Sequence, residues 1–161
     1  DLNTVLDAPA GLIRAKVFAT HPFNNKHSLF IAKGYADGVH LGAAVLASPN
    51  IFLGEVSRVE PTWSEVRTVL DVSRELSVRV GAAGTPGLLR GGAAVAVSML
   101  DKSKRIAAGD LIILAQTGLP YGLKIGEVRG VREVAGSAWN EAEATLPYAL
   151  SELTEVLVRY E

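Results

Sequence analysis

Short runs in which aliphatic residues alternate with polar ones recur along the whole chain, and each run closes on Gly, Pro, Asn or Asp. Ser77-Val78-Arg79-Val80 and Glu155-Val156-Leu157-Val158-Arg159 show the period most cleanly. Successive side chains of a strand point to opposite faces, so this pattern predicts sheets wet on one face and buried on the other. In the first half the predicted strands are LIRAKVFA (12–19), HSLFIAK (27–33), GAAVLA (42–47), IFLGEVSRVE (51–60) and SEVRTVLD (64–71). In the second half they are LSVRVG (76–81), AAVAVSML (93–100), DLIILAQ (110–116), KIGEVRGVREV (124–134), AWNEAEATL (138–146) and EVLVRY (155–160). Turn signals lie between them: ADG (36–38), SPN (48–50), EPT (60–62), GTPG (84–87) and GLPYG (118–122). These gaps are too short for the crossover of about a dozen residues that parallel strands need, so the predicted class is all-β and mainly antiparallel.

One stretch competes for helix. NEAEATLPYALSELTEVL (140–157) is rich in Ala, Glu and Leu, but Pro147 interrupts it. Proline suits the start of a helix and not its interior, so the expectation is a strand up to Leu146, a single helical turn at 148–153, and a closing strand.

LGEVSRV (53–59) and IGEVRGV (125–131) are nearly the same seven residues, and GAAVL (42–46) and GDLIIL (109–114) precede them in the same order. A duplicated pair of β-hairpin units predicts two small β-barrel-like subdomains. The expected division places 12–75 and 135–161 in the first subdomain and 76–134 in the second, with 1–11 as a junction. Gly54 and Gly126 would lie inside strands, where glycine marks either a bend or a close approach by a neighbour. Both roles fit the sequence.

With 161 residues the chain is long enough to bury a substantial core, and 16 basic against 17 acidic residues leave no broad basic field for nucleic acid. No cysteine is present, which excludes disulfides and thiolate chemistry. Apolar runs all fall short of the ~20 residues that cross a bilayer as a helix. His21, His27 and His40, with Asp37 and Asp71, are nominal metal ligands or bases, but no spacing pairs them. Two β-barrels also raise a chymotrypsin-like hydrolase, whose serine needs a glycine-rich turn beside it. Here Leu111 follows Gly109-Asp110, and Ser98, Ser103 and Ser137 lack that setting. GTPGLLRGG (84–92) lacks the G-K-[ST] ending of a phosphate loop and is expected to be a loop between strands; DKSKR (101–105) is expected to be a solvated turn. No cofactor or metal is implied, and an enzyme is the third-ranked reading.

Beyond the residues themselves, IAKGYADGVHLGAAVL (31–46) with FLGEVSRVEPTWSEVRTVLD (52–71) resembles the first block of the rod shape-determining MreC family, K-G-x-x-D-G-V-x-x-G followed by a G-x-V strand. LSVRV with GLLRGG, then IAAGDLIILAQTGLPYGLKIGEVRGV (106–131), then ATLPYALSELTEVLVRY (144–160), resemble its later blocks in the same order. The turn at 117–122 is shorter than the family's usual one, and Val72-Ser73 stand where the family places proline. The resemblance implies a non-enzymatic extracytoplasmic scaffold of the cell-wall elongation machinery, held at the inner membrane by a helix and coiled coil preceding Asp1. It implies self-association into a homo-oligomer, with the elongation penicillin-binding transpeptidase, MreD and MreB as partners. The alternative is a soluble exported β-barrel domain that binds a peptide or small molecule. For partner binding the candidates are Leu119, Pro120 and Tyr121, whose turn presents apolar and aromatic groups; Tyr121 either anchors a partner or folds back over its barrel. Strands left at the edge of an unclosed barrel are a second candidate surface.

Overall fold

The computed structural model describes residues 10–21 and 27–160. It contains twelve strands and two isolated 3-10 turns, in two compact units comprising residues 1–68 with 148–161 and residues 69–147. The expected junction at 1–11 lies mostly outside the described residues.

The first unit is built from β1 (Leu12–His21), β2 (Ser28–Ile31), β3 (Ala44–Ser48), β4 (Ile51–Val59), β5 (Ser64–Thr68) and β12 (Glu155–Arg159). Round the ring, β1 pairs with β2, β2 with β5, β5 with β4, β4 with β3, β3 with β12, and β12 with β1, all antiparallel. The ring therefore closes. Alternate residues of these strands point inward, so Ala15, Leu29, Ile31, Val45, Val56, Val66, Val156 and Val158 form its core. Tyr148, Leu150 and Leu153, in and around the 3-10 turn Leu150–Glu152, pack against that core, where the proline-led helical turn was expected.

The second unit contains β6 (Glu75–Val80), β7 (Thr85–Arg90), β8 (Ala96–Asp101), β9 (Leu111–Leu114), β10 (Lys124–Glu133) and β11 (Trp139–Thr145). It closes in the order β6, β7, β8, β11, β10, β9 and back to β6. Val78, Val80, Leu89, Val97, Leu100, Ile112, Leu114, Ile125 and Val128 fill it.

The duplication extends to individual hydrogen bonds. The Gly42 amide donates to the Val56 carbonyl at 2.8 Å, and the Gly109 amide donates to the Val128 carbonyl at 2.7 Å. Both glycines hold a left-handed backbone, with φ of 83° and 93°, which turns the chain into the next strand. The two rings also share one wiring if β1 to β5 are matched with β7 to β11 and β12 is matched with β6. Along the chain, β1–β6 and β7–β12 are thus two copies of one six-strand repeat, and the sixth strand of each copy closes the ring of the other. ELSVRV in β6 and EVLVR in β12 share Glu, Val and Arg at the same positions.

Three expectations are corrected. β11 was expected in the first unit with 135–161, but its ladders to β8 and β10 place it in the second, and the units divide at Thr68/Val69 and Pro147/Tyr148. GTPGLLRGG is no loop: Thr85–Arg90 is a strand paired on both sides, and Pro86 fits because the ladder to β8 begins only at Leu88. Ring closure also removes the open strand edges expected as a docking surface, since each of the twelve strands has a neighbour on both sides.

Candidate functional site

On the second unit, the outer side of the barrel carries a cavity of about 680 Å³. Met99, on its lining, sits at an irregularity in β8. Val97 faces Ala142 and Leu100 faces Asn140, so Ser98 and Met99 together occupy the space opposite the single residue Glu141. This is a β-bulge, a device that re-aims side chains. Met99 adopts φ 62° and is the only described non-glycine residue with positive φ. That conformation is disfavoured by about 1 kcal/mol or more for an L-residue with a long side chain. The bulge sends Leu100 into the core, at 0% exposure, and turns Met99 outward, at 46%.

Two aromatic residues line the same cavity as Met99. Trp139 starts β11 and is 41% exposed, and Tyr121 lies in the turn between β9 and β10 and is 71% exposed. Pro86, Leu88 and Ala115 add to the apolar lining, while Arg79, Lys104 and Asp101 supply charge at the same site. The Asp101 carboxylate accepts from the Ser103 amide at 2.9 Å and the Ser103 hydroxyl at 2.8 Å, and these bonds hold its pKa below the ordinary carboxylate value. Two rigid aromatic groups and a thioether over an apolar floor suit docking of another chain, because they remove much apolar area from water while losing little side-chain freedom.

Of the three residues proposed from sequence, only Tyr121 lines the cavity. Leu119 and Pro120 are half-buried in the same turn, which is shaped by left-handed Gly118 and Gly122 and tied down by the Gly122 amide donating to the Leu114 carbonyl. Tyr121 keeps most of its surface in solvent. Met99, Trp139 and Pro86 escaped the sequence reading. Alternation from Val95 and Val97 assigns Met99 to the core face, and nothing local announces the bulge that reverses it.

Several of the residues considered for chemistry have structural uses; the His21 side chain lies outside the described residues. Ser98 donates to the Leu88 carbonyl, Ser103 to Asp101, and the Ser137 hydroxyl accepts from the Trp139 amide. The His27 carbonyl accepts from Thr68, and Asp71 accepts from Ser73. Among the described residues no three His, Asp or Glu side chains gather as metal ligands. The first unit carries a separate exterior aromatic row, in which Phe18 lies 6.2 Å from Phe30, Phe30 lies 6.0 Å from Trp63, and the Arg58 guanidinium sits 5.0 Å above the Trp63 ring. Phe18, at its outer end, is 58% exposed.

Comparison with known proteins gives a consistent answer. The family model described as rod shape-determining protein MreC, barrel core, matches residues 17–159. No curated protein matches by sequence. Among solved structures, MreC from Pseudomonas aeruginosa is 22% identical with a TM-score of 0.80, over 91% of this chain and 97% of that one. The major periplasmic domain of the cell shape-determining filament MreC, in an orthorhombic crystal, is 18% identical with a TM-score of 0.75, over 91% and 93%. MreC from Helicobacter pylori, solved in complex with the penicillin-binding protein PBP2, is 16% identical with a TM-score of 0.67, over 93% and 98%.

Proposed function

This chain belongs to the MreC family of rod shape-determining proteins, and from that premise we propose that it is an extracytoplasmic scaffold of the cell-wall elongation machinery, working by holding proteins together and not by catalysis. The reading includes attachment at the inner membrane, as the family resemblance implies; among the described residues no helix is long and apolar enough to cross a bilayer. Self-association and binding of the elongation penicillin-binding transpeptidase are its two activities, with MreD and MreB as further members of the assembly.

The observation that carries this reading is the exposed Met99, Tyr121 and Trp139 group on the second unit, with Met99 held outward by a strained bulge. An outward-facing apolar cluster of this kind is unfavourable in water unless something covers it, and anchors of this type supply most of the binding energy at protein interfaces. Leu119 and Pro120 shape the turn that presents Tyr121. Support for the class of partner comes from the complex of the H. pylori MreC with PBP2. The rival reading, a peptide or small-molecule ligand, draws on the cavity volume, which lies within the ~300–1,000 Å³ usual for ligand sites.

Titration of the immobilised chain with the elongation penicillin-binding protein of the same cell tests the proposal. Saturable binding that is lost in Met99→Gly and Trp139→Ala is the expected result. Binding unaffected by both substitutions would remove the cavity from the reading, and no binding at any concentration would remove the partner.

A further inference from the structure

We propose that β12 is an exchangeable strand: in the self-associated protein it leaves the first unit of its own chain and closes the corresponding ring of a second copy. This deepens the self-association put forward above and rests on it.

The slot that β12 fills lies between β1 and β3. Five residue pairs, from Leu12↔Arg159 to Lys16↔Glu155, join it to β1, and Leu157↔Leu46 and Val158↔Val45 join it to β3. Val156, Leu157 and Val158 are buried there, and the Arg14 guanidinium bonds the Glu155 carboxylate at 3.0 Å. Without β12 the other five strands form an open ring, with unpaired edges on β1 and β3 facing an apolar gap. An open edge of this kind is a template for a strand of matching pattern.

β12 is the strand least bound to its ring by connectivity. β6, its counterpart, is joined to β7 by a four-residue turn, 81–84, and pairs with it over six positions. Neither neighbour of β12 in the ring is its neighbour in sequence. It follows residues 146–154, which contain Pro147 and one 3-10 turn; Tyr148, Leu150 and Leu153 of that segment pack on the ring and go with the strand, which leaves the hinge at 146–147, where the two units divide. The fold itself already separates slot from donor, because each repeat is closed by the other's sixth strand. Closure by the β12 of a second copy repeats between chains what happens within one. Every native contact of the strand is kept, and only the connectivity changes, so the balance between closed and exchanged forms is set by concentration. Reciprocal exchange gives a closed dimer, and one-way exchange gives an open chain of copies.

Leu12 and Arg159 allow a direct test. The Tyr160 amide donates to the Gly11 carbonyl at 3.1 Å, which makes Leu12↔Arg159 the following non-hydrogen-bonded pair, with Cα atoms about 4.5 Å apart and suited to a disulfide. The sequence has no cysteine of its own. Full-length L12C and R159C chains are mixed over a range of concentrations, oxidised and separated without reductant, beside sedimentation of the same samples. The expected result is a disulfide joining an L12C chain to an R159C chain, several-fold above the homodimers either variant forms alone and rising with concentration. The double variant L12C/R159C should close within one chain when dilute. Dimers in sedimentation without that mixed cross-link would overturn the exchange while leaving self-association standing. No dimer at any concentration would overturn both. K16C with E155C, the next non-hydrogen-bonded pair but one, repeats the test if the first pair perturbs folding.

Discussion

Gly126 of β10 lies so close to Thr145 of β11 that a β-carbon at position 126 would collide with the Thr145 carbonyl oxygen. Gly54 stands in the same relation to the Arg67 carbonyl in the first unit. The glycine of each G-E-V segment is therefore required by close approach of the next strand, and a register shift beside each, at Val45/Leu46 and Lys124/Gly126, adds a bend. Both roles that the sequence left open are filled together. Gly54→Ala and Gly126→Ala should each destabilise by about 1–3 kcal/mol, because a backbone carbonyl cannot move aside as a side chain can. Gly130→Ala, where no atom of the described residues lies within 4 Å and φ is not positive, should change stability by less than ~0.5 kcal/mol. Urea unfolding of the three variants measures the contrast.

Met99 should trade stability for binding. Glycine adopts a left-handed backbone without penalty, so Met99→Gly should raise stability by about 1 kcal/mol, a rise of ~2–4 °C in Tm. The same change removes the thioether from the cavity and should weaken partner binding at least tenfold. Calorimetry and the binding titration, run on one preparation, check both directions.

Tyr121→Ala should leave Tm within about 1 °C of the parent, because a side chain this exposed contributes little to folding. Partner binding or self-association should fall. A large loss of stability with intact association would show that the ring serves its own barrel.

Tyr148 carries a buried hydroxyl with no hydrogen-bond partner among the described residues, and burial raises its pKa above the ordinary 10.0. Below pH 10 the phenol is neutral in both folded and unfolded chains and contributes no pH dependence. Above pH 10 the unfolded chain ionises while the folded one stays protonated, so stability falls by up to ~1.4 kcal/mol per pH unit until the folded pKa is reached. Tyr148→Phe should remove that alkaline slope and, by deleting an unsatisfied buried group, raise stability at pH 7 by about 1 kcal/mol. Unfolding at pH 7 and at pH 11 separates the two effects.

Strand positions were largely legible because the period of two is a local property, imposed residue by residue by the pleat and by water on one face. The helical turn before β12 was legible for the same kind of reason, since Pro147 permits a start and forbids an interior. β7 was not legible: Gly84, Pro86 and Gly87 have the composition of a turn, and pairing on both sides overrode it. The outward turn of Met99 was not legible, because alternation assumes an unbroken ladder and one extra residue in β8 shifts every later side chain to the other face.

The sequence alone determined that the chain is a duplicated set of short antiparallel strands, since repeated strings and alternating polarity need no partner to be read. Only the tertiary structure decided that each ring closes, that β6 and β12 change places between the repeats, and that Met99 joins Tyr121 and Trp139 at the surface. Those outcomes depend on which distant strands hydrogen-bond to one another, and two strands with the same Glu, Val and Arg pattern are interchangeable until the geometry of the slots chooses between them.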